Sequence, residues 1–271
     1  MVSSTVVRST QFGIDYNRGL PLPIRWARRV CGWIVELLAP IWAWSGHSIR
    51  RAWARPLVIS AGAIIVLFPL DGVLAAFGRS LPIGGDLRRE LLVLQQYGAI
   101  ASLAIVGAII WLQDPQRRRN LADLIAAVII GAISVTFIKA IVGRPRPRDH
   151  MREIYDHTDI LGPFGAAPLQ DSGVRHAWEL WAPRVSDIQS FPSSHTLYAV
   201  ILSVFLLELY PRLRPLLIAF PILVGFARVF FGSHYPTDVI AGACLGLIIG
   251  RIVVTSSLGR RMLDRLQDQR R

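Results

Sequence analysis

Cysteine is almost missing from this chain: only Cys31 and Cys244 occur in 271 residues. One lies in a basic N-terminal segment and the other inside an apolar run, so they supply neither a disulfide framework nor a cysteine-based metal site. Lysine is scarcer still. Lys139 is the only one, and the remaining 29 of the 30 Lys and Arg residues are arginine. Carboxylates number 18, leaving a net charge of +12. That charge falls in short clusters between apolar spans, without a basic stripe carrying interleaved aromatics, so no nucleic-acid partner is expected. Loop charge next to membrane spans, facing anionic lipid, accounts for it more simply. Soluble-protein polarity is lacking as well. Hydrophobic side chains make up 52% of the chain and the mean hydropathy is +0.43, whereas soluble domains hold about 45–50% apolar residues even counting Gly. These features indicate an integral membrane protein.

Met1 is followed by polar residues, and the first long apolar run begins near Leu57. No cleavable signal peptide is expected, and the first span should target the chain. Residues 1 to about 23 read as a loose tail. From Ile24 to Trp53, Val30, Trp33, Ile34, Leu37, Leu38 and Ile41 recur at helical spacing between flanking arginines. The apolar part is shorter than the roughly 20 residues a span requires, so an amphipathic interfacial helix is expected here. The fold class expected is all-α, with six transmembrane helices in a bundle near 57–77, 91–113, 121–142, 195–211, 214–231 and 236–257. The corresponding division is 1–56 as tail and interfacial helix, 57–257 as the transmembrane domain and 258–271 as a basic tail. Arginine clusters at 50–55, 117–119, 212–214 and 260–265 fall on one side of such a bundle, which makes that side and both termini cytoplasmic. The long connection 143–194 and the short one around His234 then face the extracytoplasmic side together.

Three polar stretches on that side stand out. Lys139 lies near the end of the third span, where an ordinary lysine would snorkel to the interface. Yet Arg146 follows it on a stretch stiffened by Pro145 and Pro147, and arginine forks on a rigid backbone suit phosphate oxygens. The second stretch is Phe191-Pro-Ser-Ser-His195, which opens the fourth span. Its serines are ordinary helix caps, but a helix N-terminus is also an anion site and His195 can move a proton near neutral pH. The third runs from Arg228 to Asp238. Gly232, Pro236 and Asp238 fit the end of one helix and the start of another, which leaves Arg228 and His234 without a structural task. Asp71, Arg144 and Arg148 fall near these stretches and have no assigned role.

Lys139-x6-Arg146-Pro147, Pro192-Ser-Ser-His195 and Arg228-x5-His234-x3-Asp238 together resemble the signature of the type 2 phosphatidic acid phosphatase (PAP2) superfamily. The resemblance covers residues 57 to 257, with Ser194 where the family usually has Gly and Ala227 where it usually has Ser. It implies a membrane lipid phosphatase working through a phosphohistidine. His234 would be the nucleophile, Asp238 would orient it, and His195 would be the acid and base. Lys139, Arg146, Ser193, Ser194 and Arg228 would bind phosphate. The scheme needs no metal or cofactor, and no cluster with metal-ligand spacing accompanies these histidines.

The implied partners are a lipid phosphate and membrane lipids, and the implied site is the outer face of a bacterial inner membrane. Undecaprenyl diphosphate, phosphatidylglycerophosphate, phosphatidic acid and a lipid A phosphate are the candidate substrates. A phosphotransferase would share the first half-reaction. A transporter or channel would instead place charges near the membrane midplane, and a vanadate-binding haloperoxidase would not be expected to carry six spans.

Overall fold

The computed structural model describes residues 47–169 and 173–269. The interfacial helix expected over 24–53 lies outside them except for its last residues, which begin α1 (His47–Leu67). A 3-10 turn at Phe68–Leu70, with Pro69 in it, joins α1 to α2 (Asp71–Ser80). The chain continues as α3 (Gly85–Leu94), α4 (Ile100–Gln113) and α5 (Leu121–Val142). After the long connection come α6 (Ser194–Leu209), α7 (Arg214–Phe230), α8 (Pro236–Thr255) and α9 (Leu258–Asp268).

Among the described residues, four stretches are long and apolar enough to cross a membrane: Trp53–Ser80, Pro115–Val142, Pro211–Phe230 and Pro236–Thr255. The second expected span is instead a pair, with α3 and its 3-10 extension meeting α4 at 68°. The bend falls after Gln95-Gln-Tyr-Gly98, a polar interruption in the apolar run. Gly98 there lies against the backbone carbonyl of His195, where a Cβ would collide. The fourth expected span is the 16 residues of α6, which at 1.5 Å per residue rise about 24 Å, short of the roughly 30 Å hydrocarbon core.

α8 is the hub of the bundle and packs on α1, α5 and α6, while α6 also packs on α7. The core joins Leu197, Ile201, Leu202 and Phe205 of α6 to Ile249 and Val253 of α8 and to Leu124, Ala127 and Val135 of α5. Between helices in lipid, such contacts stabilise through close packing rather than through removal from water. The opposite side of α5 exposes Ile125, Ile129, Ile133, Phe137 and Ile141 at four-residue spacing, a continuous apolar stripe.

The connection between α5 and α6 departs from the all-α expectation. It contains an antiparallel hairpin that pairs Ala166–Leu169 with Gly173–His176. Ala177–Trp181, which carries two tryptophans, is a set of turns. Met151, Ala167, Leu169, Ala177, Val185 and Ile188 give this segment a small core of its own. The tail expected after residue 257 is largely helical: α9 packs on α5, and Arg260 binds Asp123 through Nε at 2.8 Å.

Candidate active site

The three stretches meet at one end of the bundle because each marks a helix terminus there. α5 ends at Gly143, whose φ of 58° suits glycine. A Cβ at this position would also approach the Gly162 carbonyl to 3.1 Å. The reversal sends Arg144–Pro147 back as an extended segment, pinned by Arg146 N–H donating to the Asp187 carbonyl at 2.7 Å. α6 starts under the cap of Ser193, whose Oγ accepts from the Thr196 hydroxyl at 3.0 Å. Past the end of α7, the Arg228 carbonyl accepts N–H bonds from Ser233 and His234 at 3.0 and 3.2 Å, which fixes the turn that carries the imidazole. Asp238, in the first turn of α8, accepts from the Tyr235 N–H at 2.8 Å.

His234 is almost wholly buried, 1% exposed. Its Nδ1 lies 2.7 Å from the Ser190 carbonyl, 3.5 Å from Ser190 Oγ and 3.7 Å from Asp238 Oδ2. A carbonyl only accepts, so Nδ1 carries the proton and Nε2 keeps its lone pair. The expected contact between Asp238 and His234 is therefore looser than a direct bond, and Ser190 closes the gap. Its hydroxyl donates to Asp238 Oδ2 at 2.5 Å while its carbonyl orients the ring. Burial pushes the His234 pKa well below 6.5; Asp238 opposes the shift, and the nearby Arg146, Lys139 and Arg228 reinforce it. At neutral pH the ring is neutral.

Three cations face this imidazole. Lys139 and Arg228 are 8% and 9% exposed, which rules out snorkelling for Lys139. Lys139 Nζ donates to the Gln189 carbonyl, and Arg228 Nη1 donates to Gln95 Oε1 at 2.9 Å. The Nε atoms of Arg146 and Arg228 are buried without a partner among the described residues. Burial and the neighbouring Arg148 lower the Arg146 pKa to about 10, so it remains charged at neutral pH. His195 stands near the same three cations. Ser194, His195 and Arg146 keep partial exposure while His234 and Asp238 do not, so the site opens on the His195 side. In the first turn of α6, the Ser194 and His195 N–H groups have no intrahelical acceptor. Converging cations, free amide donors and a lone pair on a neutral imidazole suit a tetrahedral dianion whose central atom is attacked by nitrogen.

Every candidate residue of the three stretches is thus drawn to one locality, Ser193 as a cap with a buried hydroxyl. Ser190, Gln95, Asp71, Arg144 and Thr237 also bear on it, and the sequence had given none of them a role. Asp71 and Gln95 were visible only as polar groups within apolar runs. Ser190 precedes the second stretch and carries no local signal.

A family profile described as the PAP2 superfamily matches residues 120–262. A lipid A 1-phosphatase of Rhizobium johnstonii is 34% identical over 126 residues, 46% of this chain and 43% of that protein. The undecaprenyl-diphosphatase BcrC of Bacillus subtilis is 36% identical over 77 residues, 28% of this chain and 39% of its own length. The chain thus spans less than half the length of these curated relatives. The crystal structure of Aquifex aeolicus LpxE resembles the fold with a TM-score of 0.50 at 20% identity, covering 69% of this chain and 95% of that one.

Proposed function

The chain belongs to the PAP2 superfamily, and from that premise we propose that it is a membrane-embedded lipid phosphatase acting through a phosphohistidine. The observation that carries this reading is the meeting of Lys139, Arg146 and Arg228 around an imidazole whose Nε2 lone pair is free. His234 Nε2 attacks phosphorus and a P–N bond forms as the P–O bond to the lipid breaks. Protonated His195 gives its proton to the leaving oxygen; the incoming phosphate charge favours that protonated form. Neutral His195 then takes a proton from water as the water oxygen attacks phosphorus. The P–N bond breaks, inorganic phosphate leaves, and His195 is protonated again. Lys139, Arg146, Arg228 and the amides of Ser194 and His195 stabilise the equatorial oxygens in both steps.

The site lies at helix ends, where a phosphate can arrive while its acyl or prenyl chains stay among the helices. The preferred substrate class is a lipid A phosphate or a prenyl diphosphate, the chemistries named for the two curated relatives. In this reading residues 57–257 form the catalytic domain. The bent pair counts as one span and α6 as another, giving six. Both termini are cytoplasmic, and the site faces the extracytoplasmic side of a bacterial inner membrane.

Phosphate release by the detergent-purified protein, over a panel of lipid A, undecaprenyl diphosphate, phosphatidylglycerophosphate and phosphatidic acid, tests the reaction. Release from one class with inhibition by orthovanadate supports the reading; transfer to an added lipid acceptor without release would make the protein a phosphotransferase. For topology, Phe164, 90% exposed in the long connection, is the labelling position. Phe164→Cys should react with an impermeant thiol reagent on intact cells, and reaction only after lysis would invert the arrangement.

A further inference from the structure

Arg144 does not face the anion site. It lies beneath it, 1% exposed, between two carboxylates that are each 0% exposed. Its Nη1 donates to Asp238 Oδ1 at 2.7 Å and to Thr237 Oγ1 at 2.9 Å; its Nη2 donates to Asp71 Oδ2 at 2.8 Å and to the His157 carbonyl at 2.7 Å. The central guanidinium carbon lies over the rings of Tyr235 and Phe68, 4.2 and 5.0 Å from their centroids. Asp71 in turn accepts from the Thr237 N–H at 3.1 Å and from the Thr237 hydroxyl. The residues concerned come from α2, the segment after α5, and the first turn of α8, so the ring of bonds ties three remote parts of the chain together.

α2 grips the same extended segment a second time. Arg79, two turns beyond Asp71, donates through Nη1 to the Pro147 carbonyl at 2.8 Å. Asp71 therefore holds the segment at Arg144 and Arg79 holds it at Pro147, with Arg146 between the two clamps. At the other end of the circuit, Arg144 occupies one Asp238 oxygen, leaving Oδ2 to the Ser190 hydroxyl and the Tyr235 N–H. Rotation of the Asp238 carboxylate would break all three contacts and release Ser190, whose carbonyl orients His234.

We propose that Arg144 and Asp71 are positioning residues: through Asp238 and Ser190 they hold the His234 imidazole in line, and with Arg79 they fix where Arg146 points. This rests on the phosphatase reading of the site but assigns residues outside its three motifs. A planar fork is required, because one group must reach two carboxylates on opposite sides at once. A lysine keeps the charge and loses that geometry.

The test compares wild type, Arg144→Lys, Asp71→Asn and the double variant in detergent, with kcat and KM for phosphate release and the affinity for orthovanadate. In Arg144→Lys, kcat is expected to fall about 10–100-fold, the range seen when partners that orient a reacting group are lost, with KM within about twofold because neither residue touches substrate. Asp71→Asn should fall less, and the double variant no lower than Arg144→Lys, since both act through one circuit. Folded variants with wild-type kcat, or losses confined to KM, would overturn the proposal. Should Arg144→Lys fail to fold, Asp71→Asn and Thr237→Val, which removes only the bridging hydroxyl, carry the same comparison. If wild type releases no phosphate from any lipid, the phosphatase reading fails by itself. Vanadate affinity then decides the positioning claim separately: about tenfold weaker binding in Asp71→Asn sustains it, on the scale of one lost orienting contact, and equal binding overturns it.

Discussion

Arg144 and Arg146 are two residues apart on one stiff segment and have opposite surroundings. Both Nη atoms of Arg144 have acceptors, two of them carboxylates, and its central guanidinium carbon lies over two aromatic rings. The Nε of each arginine is buried without a partner among the described residues, but Arg146 has no carboxylate bound to its guanidinium as Arg144 has, and Arg148 stands near it. A buried cation already paired with carboxylates maintains shape; one without such a pair is free to take an anion from outside. The contrast divides the site into a closed floor and an open receiving face, both drawn from a single Gly-Arg-Pro-Arg-Pro run.

The sharpest break of this division is His234→Ala, which removes the group where floor and face meet. Phosphate release should drop by at least about 10⁴-fold, as for loss of a nucleophile, while the variant still unfolds cooperatively on heating. Appreciable residual turnover would take the nucleophile role away from His234. Arg144→Ala comes next and acts on stability: it strands two buried carboxylates, a loss of about 3–5 kcal/mol to be read from thermal unfolding in detergent. Arg146→Gln should separate the two regions cleanly. It lowers kcat/KM about 10²-fold, the scale of one lost oxyanion donor, and leaves the unfolding temperature unchanged or higher because a repelled cation has gone. A marked loss of stability in Arg146→Gln would erase the distinction.

The smallest effect is in pH. The unfolded chain protonates histidine at about 6.5, whereas buried His234 resists protonation until well below that value. Below about pH 6.5 the unfolded state therefore binds more protons at this residue, and stability falls as pH falls. Unfolding temperatures from about pH 8 to about pH 5 should show a shallower slope in His234→Asn than in wild type; equal slopes would mean that the imidazole titrates normally.

Sequence pattern located α5 at 121–142, the span the structure has, because a continuous apolar run bounded by Asn120 and Gly143 leaves little choice. It missed the break between α3 and α4, where Gln95 turns inward to Arg228, a partner 133 residues away. The open face of the site was legible because its residues must be of particular types at particular helix ends. The floor was not. Asp71 and Arg144 are 73 residues apart and their pairing exists only once α2 packs beside α8. Ser190 orients His234 with a backbone carbonyl, an atom every residue has, so no pattern of side chains announces it.

At the other end of the bundle, the 1% exposed carboxylate of Asp123 is held by both the N–H and the guanidinium of Arg260. Asp123 stands in the first turn of the helix whose last turn carries Lys139. Trimming the chain ahead of Arg260 to ease expression would leave that carboxylate bare at the foot of the helix that presents the lysine. A purification handle belongs beyond Asp268, where α9 has already made its contacts and its last residues are exposed.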